Sequence, residues 1–312
     1  MTTCPYGNSA QSLLLGHVYC SRQNTPMQEL DTGTLFIKTR KLEETADHES
    51  RLSIRLMLNG QQYYRLGIHD HLVTPDNYLL VNQGQHYRTA FSGDTEQEMI
   101  LVAFRPGFAE SLLHSFVKSQ DKLLDDPFFE PLQPVQFFEK TYDADPPVSH
   151  LFARLHCLIN KDLATRKEAD LDDIYTALLV RMLEIHRNLK GEINKIGGVK
   201  AATRAELFRR LSIAKDFMDA HLDRRIHLEE VARVACLSPH HFKRAFKTLY
   251  GQPPHQYHVG RRLEFCRQQL DRHPESGAEI GRRAGFEDAS SFIRLFRERY
   301  ACTPAVYAML KK

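Results

Sequence analysis

The sequence predicts an α+β chain of two domains: an antiparallel β-barrel with flanking helices, then an all-α domain of two helix-turn-helix units joined by a long helix. Three observations carry the prediction. Between about residues 34 and 104 the apolar residues recur with period two or in short runs, which is the pattern of strands. From Arg204 onward they recur at helical spacing, and a helix-turn-helix pattern occurs there twice. Charge divides near the same place: residues 1–198 hold 20 Lys/Arg against 26 Asp/Glu, whereas residues 199–312 hold 22 against 13.

The chain has 312 residues, 42% of them apolar and 26% charged, which excludes disorder, collagen and coiled-coil rods. That length suits two domains, placed at 1–190 (barrel about 30–105, helices about 108–190) and 204–312 with a linker at 191–203. The six cysteines (Cys4, Cys20, Cys157, Cys236, Cys266 and Cys302) form no C-x-x-C pair, so free thiols are expected rather than a zinc finger or a redox motif. The N-terminus lacks a basic n-region, and no run of apolar residues is long enough to cross a bilayer. The expectation is a cytoplasmic protein without a membrane partner.

Strands are expected at Leu35–Arg40, Leu52–Leu58, Gln62–Ile68, Tyr78–Val81, Tyr87–Phe91 and Met99–Phe104. Turn residues separate them: Asn59-Gly60, Pro75-Asp76-Asn77, Gln83-Gly84 and Ser92-Gly93-Asp94. Asn-Gly between two apolar runs predicts a hairpin, because both central positions of the favoured turn take positive φ. A short helix follows at Phe108–Val117, then a proline-rich irregular connection over 118–147. Two helices come next, one with the stripe Leu151, Leu155, Leu158 and Ile159, the other with Leu171, Ile174, Tyr175, Leu178, Met182, Ile185 and Leu189. These stripes must be covered by the sheet or by a second copy of the chain.

The basic half repeats itself. Residues 231–257 reappear as 280–307, and from Phe242 on an offset of 50 pairs Phe242 with Phe292, Arg244 with Arg294, Phe246 with Phe296, Tyr250 with Tyr300, Pro254 with Pro304 and Tyr257 with Tyr307. Each copy is a short helix, a tight break and a second helix. Ser238-Pro239 supplies an N-cap acceptor followed by a residue suited to the first helical position, and Asp288 is placed to cap the second copy. In helix 239–249, Phe242, Ala245, Phe246 and Leu249 share the core face, which leaves His240, Lys243, Arg244 and Lys247 outward. In the second copy Phe292, Leu295, Phe296 and Arg299 lie nearest the inward side, with Ser290, Ile293, Arg294 and Arg297 outward. Arginine, lysine, small hydroxyls and one apolar side chain on an exposed helix suit a DNA major groove. A connecting helix near Gln256–Asp271, about 24 Å long, would set the two outward helices near one duplex turn apart.

Ala284-Gly285-Phe286 followed by Ser291-Phe292-x-Arg294-x-Phe296-x-x-x-Tyr300-x-x-x-Pro304-x-x-Tyr307 resembles the signature of the AraC/XylS bacterial transcription regulators, over about 205–308. The resemblance implies base-edge contacts from His240, Lys243 and Arg244 with Lys247 on phosphate. It implies the same for Ala289, Ser290, Ile293 and Arg294 in the second unit, with Ser291 and Arg297 near the DNA backbone. Ala301 and Cys302 depart from the family pattern, which usually has Gly and a polar residue there. Residues 75–91 more loosely resemble the cupin-like sensory barrel of such regulators.

The resemblance implies double-stranded promoter DNA as partner, a small-molecule effector, a homodimer, and RNA polymerase as a further partner for an activator. No cofactor is expected. His69, His71 and His86 could offer nitrogen ligands, but no glutamate completes the cupin set, so no metal site is assigned. Ligand-binding residues stay unassigned, although Tyr63, Tyr64, Arg65, Tyr78, Tyr87 and Arg88 could line a pocket. No catalytic motif occurs: G-x-S-x-G, H-E-x-x-H, a Walker loop and G-x-G-x-x-G are all missing. Two alternatives remain open, an N-terminal domain that only dimerises and a cupin-type metalloenzyme fused to a DNA-binding domain.

Overall fold

A computed structural model describes residues 11–13, 33–39, 47–91, 96–117, 134–159, 168–195, 200–272 and 277–310. The chain divides into two compact units, Met1–Glu206 and Leu207–Lys312.

Among its described residues the first unit has ten strands: β1 (Gln11–Leu13), β2 (Gly33–Thr39), β3 (His48–Glu49), β4 (Ser53–Asn59), β5 (Gln62–Leu66), β6 (His69–Val73), β7 (Asn77–Val81), β8 (His86–Phe91), β9 (Gln97–Ala103) and β10 (Thr141–Asp143). They form two antiparallel sheets, in the orders β1-β2-β9-β4-β7-β10 and β3-β8-β5-β6. Strand β4 is buried on both faces. Ile54 and Leu56 face helices α1 (Phe108–Val117), α2 (Pro146–Ile159) and α3 (Glu168–Lys195). Met57 faces the space between the sheets, with Leu79, Val81, Met99 and Leu101 from the larger sheet and Tyr64, Leu66, Val73 and Tyr87 from the smaller.

Two expectations change here. Asn59-Gly60 does not close a hairpin. Only Gly60 has positive φ (82°), and β4 and β5 belong to different sheets. The turn is a corner, held where Asn59 Nδ2 donates to the Glu96 carbonyl (2.8 Å) and Gln97 Oε1 accepts from the Gln61 amide (2.7 Å). The strand expected over Gln62–Ile68 is instead the first arm of a hairpin, which turns at Gly67-Ile68 and returns as β6. Ile68 sits at that tip, 88% exposed.

The helix stripes are covered by the sheet. Leu155, Leu158, Ile159, Leu171, Ile174, Tyr175, Leu178 and Met182 are buried in one cluster with β4, β7 and β9, and Leu151, Ile185 and Leu189 are half-buried against it. Tyr175 and Thr34 join α3 to β2 by a hydroxyl pair at 2.8 Å. Helix α3 continues through Gly191 to Lys195 and the next helix opens at Ala201, so much of the stretch read as a linker is helical. Residues 118–133 and 196–199, the turn at 92–94, Arg40, Cys4 and Cys20 lie outside the described residues. Cys157, Cys236, Cys266 and Cys302 are free thiols. Among the described residues no helix is long and apolar enough to cross a membrane, and no three metal-binding side chains are grouped for an ion.

The second unit is all helix: α4 (Ala201–Ala220, which begins in the first unit), α5 (Leu228–Val234), α6 (Pro239–Tyr250), α7 (Pro254–Arg272), α8 (Gly277–Arg283), α9 (Ala289–Tyr300) and α10 (Pro304–Leu310). Two cores fill it. Leu211, Ala214 and Met218 of α4 pack with Val231, Ala232, Phe242 and Phe246. Leu263, Cys266 and Leu270 of α7 pack with Ile280, Ala284, Phe292 and Phe296. Helix α7, 19 residues and about 28 Å long, serves both, because Tyr257 near its start packs on the first core.

Helices α6 and α9 end alike, at Gly251 (φ 75°) and Ala301 (φ 59°), with amides bonded to the Lys247 and Arg297 carbonyls. Glycine takes this left-handed position without the Cβ penalty that alanine meets. Ala301→Gly is therefore expected to stabilise the second unit by roughly 0.5–1 kcal/mol, read as a raised denaturation midpoint.

Candidate nucleic-acid interface

The repeat seen in the sequence is a repeat in space. In the first copy the Phe242, Phe246, Tyr250 and Tyr257 rings stand 5.4 Å (242 to 246), 4.5 Å (246 to 250), 5.6 Å (246 to 257) and 6.4 Å (250 to 257) apart. In the second, Phe292, Phe296, Tyr300 and Tyr307 give 5.7, 4.6, 5.8 and 6.4 Å for the same pairs. The breaks match too. Cys236 and Gly285 both take positive φ (51° and 70°). The amides after them, of Leu237 and Phe286, bond back to the carbonyls of Ala232 and Gly281 at 2.9 and 3.0 Å.

Each outward helix is capped as its sequence predicts. Ser238 Oγ accepts from the His241 amide (3.4 Å), and the Asp288 carboxylate accepts from the amides of Ser290 (3.2 Å) and Ser291 (2.8 Å). Those bonds, with one from the Ser291 side chain, hold the Asp288 carboxyl below the usual aspartate range.

The core faces bury Phe242, Phe246, Phe292 and Phe296, and this fixes what points outward. His240, Lys243, Arg244 and Lys247 on α6 are exposed, as are Ser290, Ile293, Arg294 and Arg297 on α9. Ile293, 43% exposed, is a lone apolar side chain on a polar face. Ser291 differs from its neighbours, being half-buried with its hydroxyl committed to Asp288. Arg299, expected near the inward side, is exposed and lies beside Tyr300. Arg294 Nη1 meets Glu298 Oε1 at 3.1 Å, and solvent screens so exposed a pair to little net worth. Lys243 of α6 and Ser291 and Arg294 of α9 open on one cleft, which also takes in His255 and Arg262 of α7.

Three contacts set the two copies relative to each other. Arg262, buried, donates from Nε to the Ala284 carbonyl (2.6 Å) and lies 4.0 Å over the Phe286 ring. His258 Nε2 meets the His221 carbonyl at 3.0 Å, and the 223–224 backbone lies against Gly285. At the other end of the junction Asp219 accepts from Tyr257 (2.7 Å), Arg261 (2.9 Å) and Lys215 (3.0 Å). The cations and the Tyr257 hydroxyl keep it ionised against its burial, with its pKa lowered. Sequence reasoning missed this junction, because its residues are spread over two helices, α4 and α7, and the two connections after α4 and α8.

Burial pushes His258 down to about 4. The unfolded chain takes up this proton near pH 6.5 and the folded one only near 4, so stability is intact above about 6.5 and falls as pH drops towards 4. At pH 5 the loss is on the order of 2 kcal/mol. His258→Gln, which keeps a donor for the His221 carbonyl, should show a smaller fall in melting temperature between pH 7 and pH 5 than the parent chain.

Comparison with known proteins adds to this. A family profile described as a helix-turn-helix domain matches residues 231–309, and one described as an AraC-like ligand-binding domain matches 44–174. The probable transcriptional regulator LumQ of Photobacterium leiognathi is 25% identical over 285 residues, 89% of this chain and 98% of LumQ. The MmsAB operon regulatory protein of Pseudomonas aeruginosa is 33% identical over 91 residues, 29% of this chain and only 30% of that protein. Among solved structures, the DNA-binding domain of AdpA in complex with a target DNA is similar at 26% identity, over 32% of this chain and 91% of that one, with a TM-score of 0.32.

Proposed function

The chain belongs to the AraC/XylS family of bacterial transcription regulators, and on that premise we propose that α6 and α9 read double-stranded promoter DNA while the N-terminal domain holds a small-molecule effector. The observation that carries the reading is the duplicated capped helix, whose buried phenylalanines leave a cationic face outward in both copies. Arg244 and Arg294 occupy the same position of the repeat and suit bidentate contact with guanine. His240, Lys243 and Ser290 flank them for base edges, and Ile293 suits a thymine methyl. Lys247 and Arg297 take the phosphates, and Ser291 reaches the backbone only beside Asp288.

The protein acts as a regulator in the cytoplasm and not as an enzyme, a reading supported by the regulators it resembles. Effector control requires that the ligand favour one presentation of the DNA-binding unit over another. A homodimer would present two such units and an activator would meet RNA polymerase. Since the stripes of α2 and α3 are covered by the sheet, pairing would use another surface.

Binding of labelled duplexes across a salt series tests the interface. With on the order of 6–10 phosphate contacts, affinity should fall about 10³-fold or more between 50 and 200 mM salt. A flat response would remove the proposed face.

A further inference from the structure

We infer that the effector is an anion, a carboxylate-bearing small molecule held between the two N-terminal sheets by the buried guanidinium of Arg55; this rests on the effector reading above. Arg55 points from β4 into the space lined by Met57, Tyr64 and Tyr87 and is 1% exposed. Among the described residues its Nη2 reaches only the Ser50 hydroxyl, at 3.4 Å, while Nε and Nη1 are buried without a hydrogen-bond partner. The Tyr87 and Tyr64 rings stand 4.2 and 5.2 Å from its central carbon. A second buried donor without a partner among the described residues, Gln62 Nε2, lies on the same inward face of β5 as Tyr64, whose hydroxyl donates to the other end of that amide (2.5 Å).

A guanidinium stays charged in proteins, so burial cannot be relieved by losing its proton. Aromatic faces offset part of the cost, but they leave the N–H groups unsatisfied. A carboxylate would meet both needs at once, supplying the opposite charge and in-plane acceptors that match the fork. Gln62 Nε2 then offers a further donor, and the two tyrosine rings form apolar walls for the rest of the ligand.

The same geometry predicts a trade between stability and binding. A buried cation lacking a counter-charge destabilises the empty domain, so an apolar side chain of similar length relieves it. The test compares the full chain with Arg55→Met and Arg55→Lys by thermal denaturation in a buffer free of carboxylate and phosphate. Hexanoate and benzoate are added, with hexanamide and benzamide as neutral counterparts, and DNA affinity is measured with and without each. The expected result is that Arg55→Met melts at least as high as the parent without ligand. The carboxylates should raise the parent's melting temperature by several degrees, the amides should not, Arg55→Lys should respond weakly and Arg55→Met not at all. If Arg55→Met melts lower or fails to fold, the guanidinium is a structural element and the inference is overturned. Equal protection by amides, or no protection by carboxylates, also overturns it. Carboxylate protection that depends on Arg55 but leaves DNA affinity unchanged would uphold the anion site and remove the effector reading instead.

Discussion

Gly285→Ala is expected to destabilise the DNA-binding unit by on the order of 3 kcal/mol and to weaken DNA binding with it. Two effects add. Gly285 takes φ 70°, a left-handed conformation that costs an L residue about 1–2 kcal/mol. A Cβ there would also fall 2.6 Å from the Arg224 amide nitrogen and the Asp223 carbonyl oxygen and closer still to the Arg224 Cα, all backbone that no rotamer change can move. Relief requires the second copy to shift away from the first, disturbing the Arg262 bond to Ala284. Cys236, at the same position of the first copy, shows that the conformation alone is tolerated, so the close approach accounts for the larger share. Chemical denaturation measures the stability loss. Binding to DNA below the new midpoint should be weakened even for the folded fraction, because the two outward helices no longer hold their spacing.

The opposite separation of stability from binding is expected at the outward arginines. Arg244→Ala and Arg294→Ala remove exposed side chains whose only tether among the described residues is the screened pair of Arg294 with Glu298, so melting temperature should barely change. Each should lower affinity for a preferred operator about ten- to a hundredfold, the loss of a bidentate base contact worth about 1–3 kcal/mol. Lys247→Ala should differ in kind, weakening all sequences alike and flattening the salt dependence. A fall in melting temperature that accounted for the lost affinity would instead assign the arginines to the fold. Arg224, although also basic, is a poor control. It clamps Glu230 through two bonds (2.5 and 3.1 Å), which raise the affinity of its guanidinium for the proton and lower that of the carboxylate.

The C-terminal helices were legible to within a few residues because their ends are written locally. Ser238-Pro239 and Asp288 start helices by chemistry that acts within one turn, and the Phe/Phe/Tyr/Tyr repeat needs only its own spacing to define a face. The N-terminal domain was less so. Strand β6 was hidden because Ile68, an apolar residue at an exposed turn, extended the apparent run of β5. The corner at Asn59-Gly60 depends on Gln97, far away in the sequence. Strands β1, β3 and β10 are only two or three residues long, too short to show a period.

The possible pocket residues divided for a related reason. Tyr64 and Tyr87 point inward, Arg65 and Arg88 are exposed, Tyr63 is half-buried, and Tyr78 stacks on Tyr142 beneath the helices. Of the histidines, His71 is buried between the sheets while His86 is exposed beside Asp47, so they do not converge on a metal. Arg55 was missed because alternation reads a charge between Ile54 and Leu56 as solvent-facing. Only the sheet order, with β4 central and covered on both sides, turns it inward.

The central claim is that two copies of one helix, α6 and α9, read separate stretches of the same duplex. Selection of preferred sequences from a random duplex library, run in parallel for the full chain, Arg244→Ala and Arg294→Ala, tests it most directly. The account predicts two windows of sequence preference about one helical turn, or roughly 10 base pairs, apart, with each variant relaxing one window and sparing the other. A single window, or two variants that relax the same positions, would contradict it.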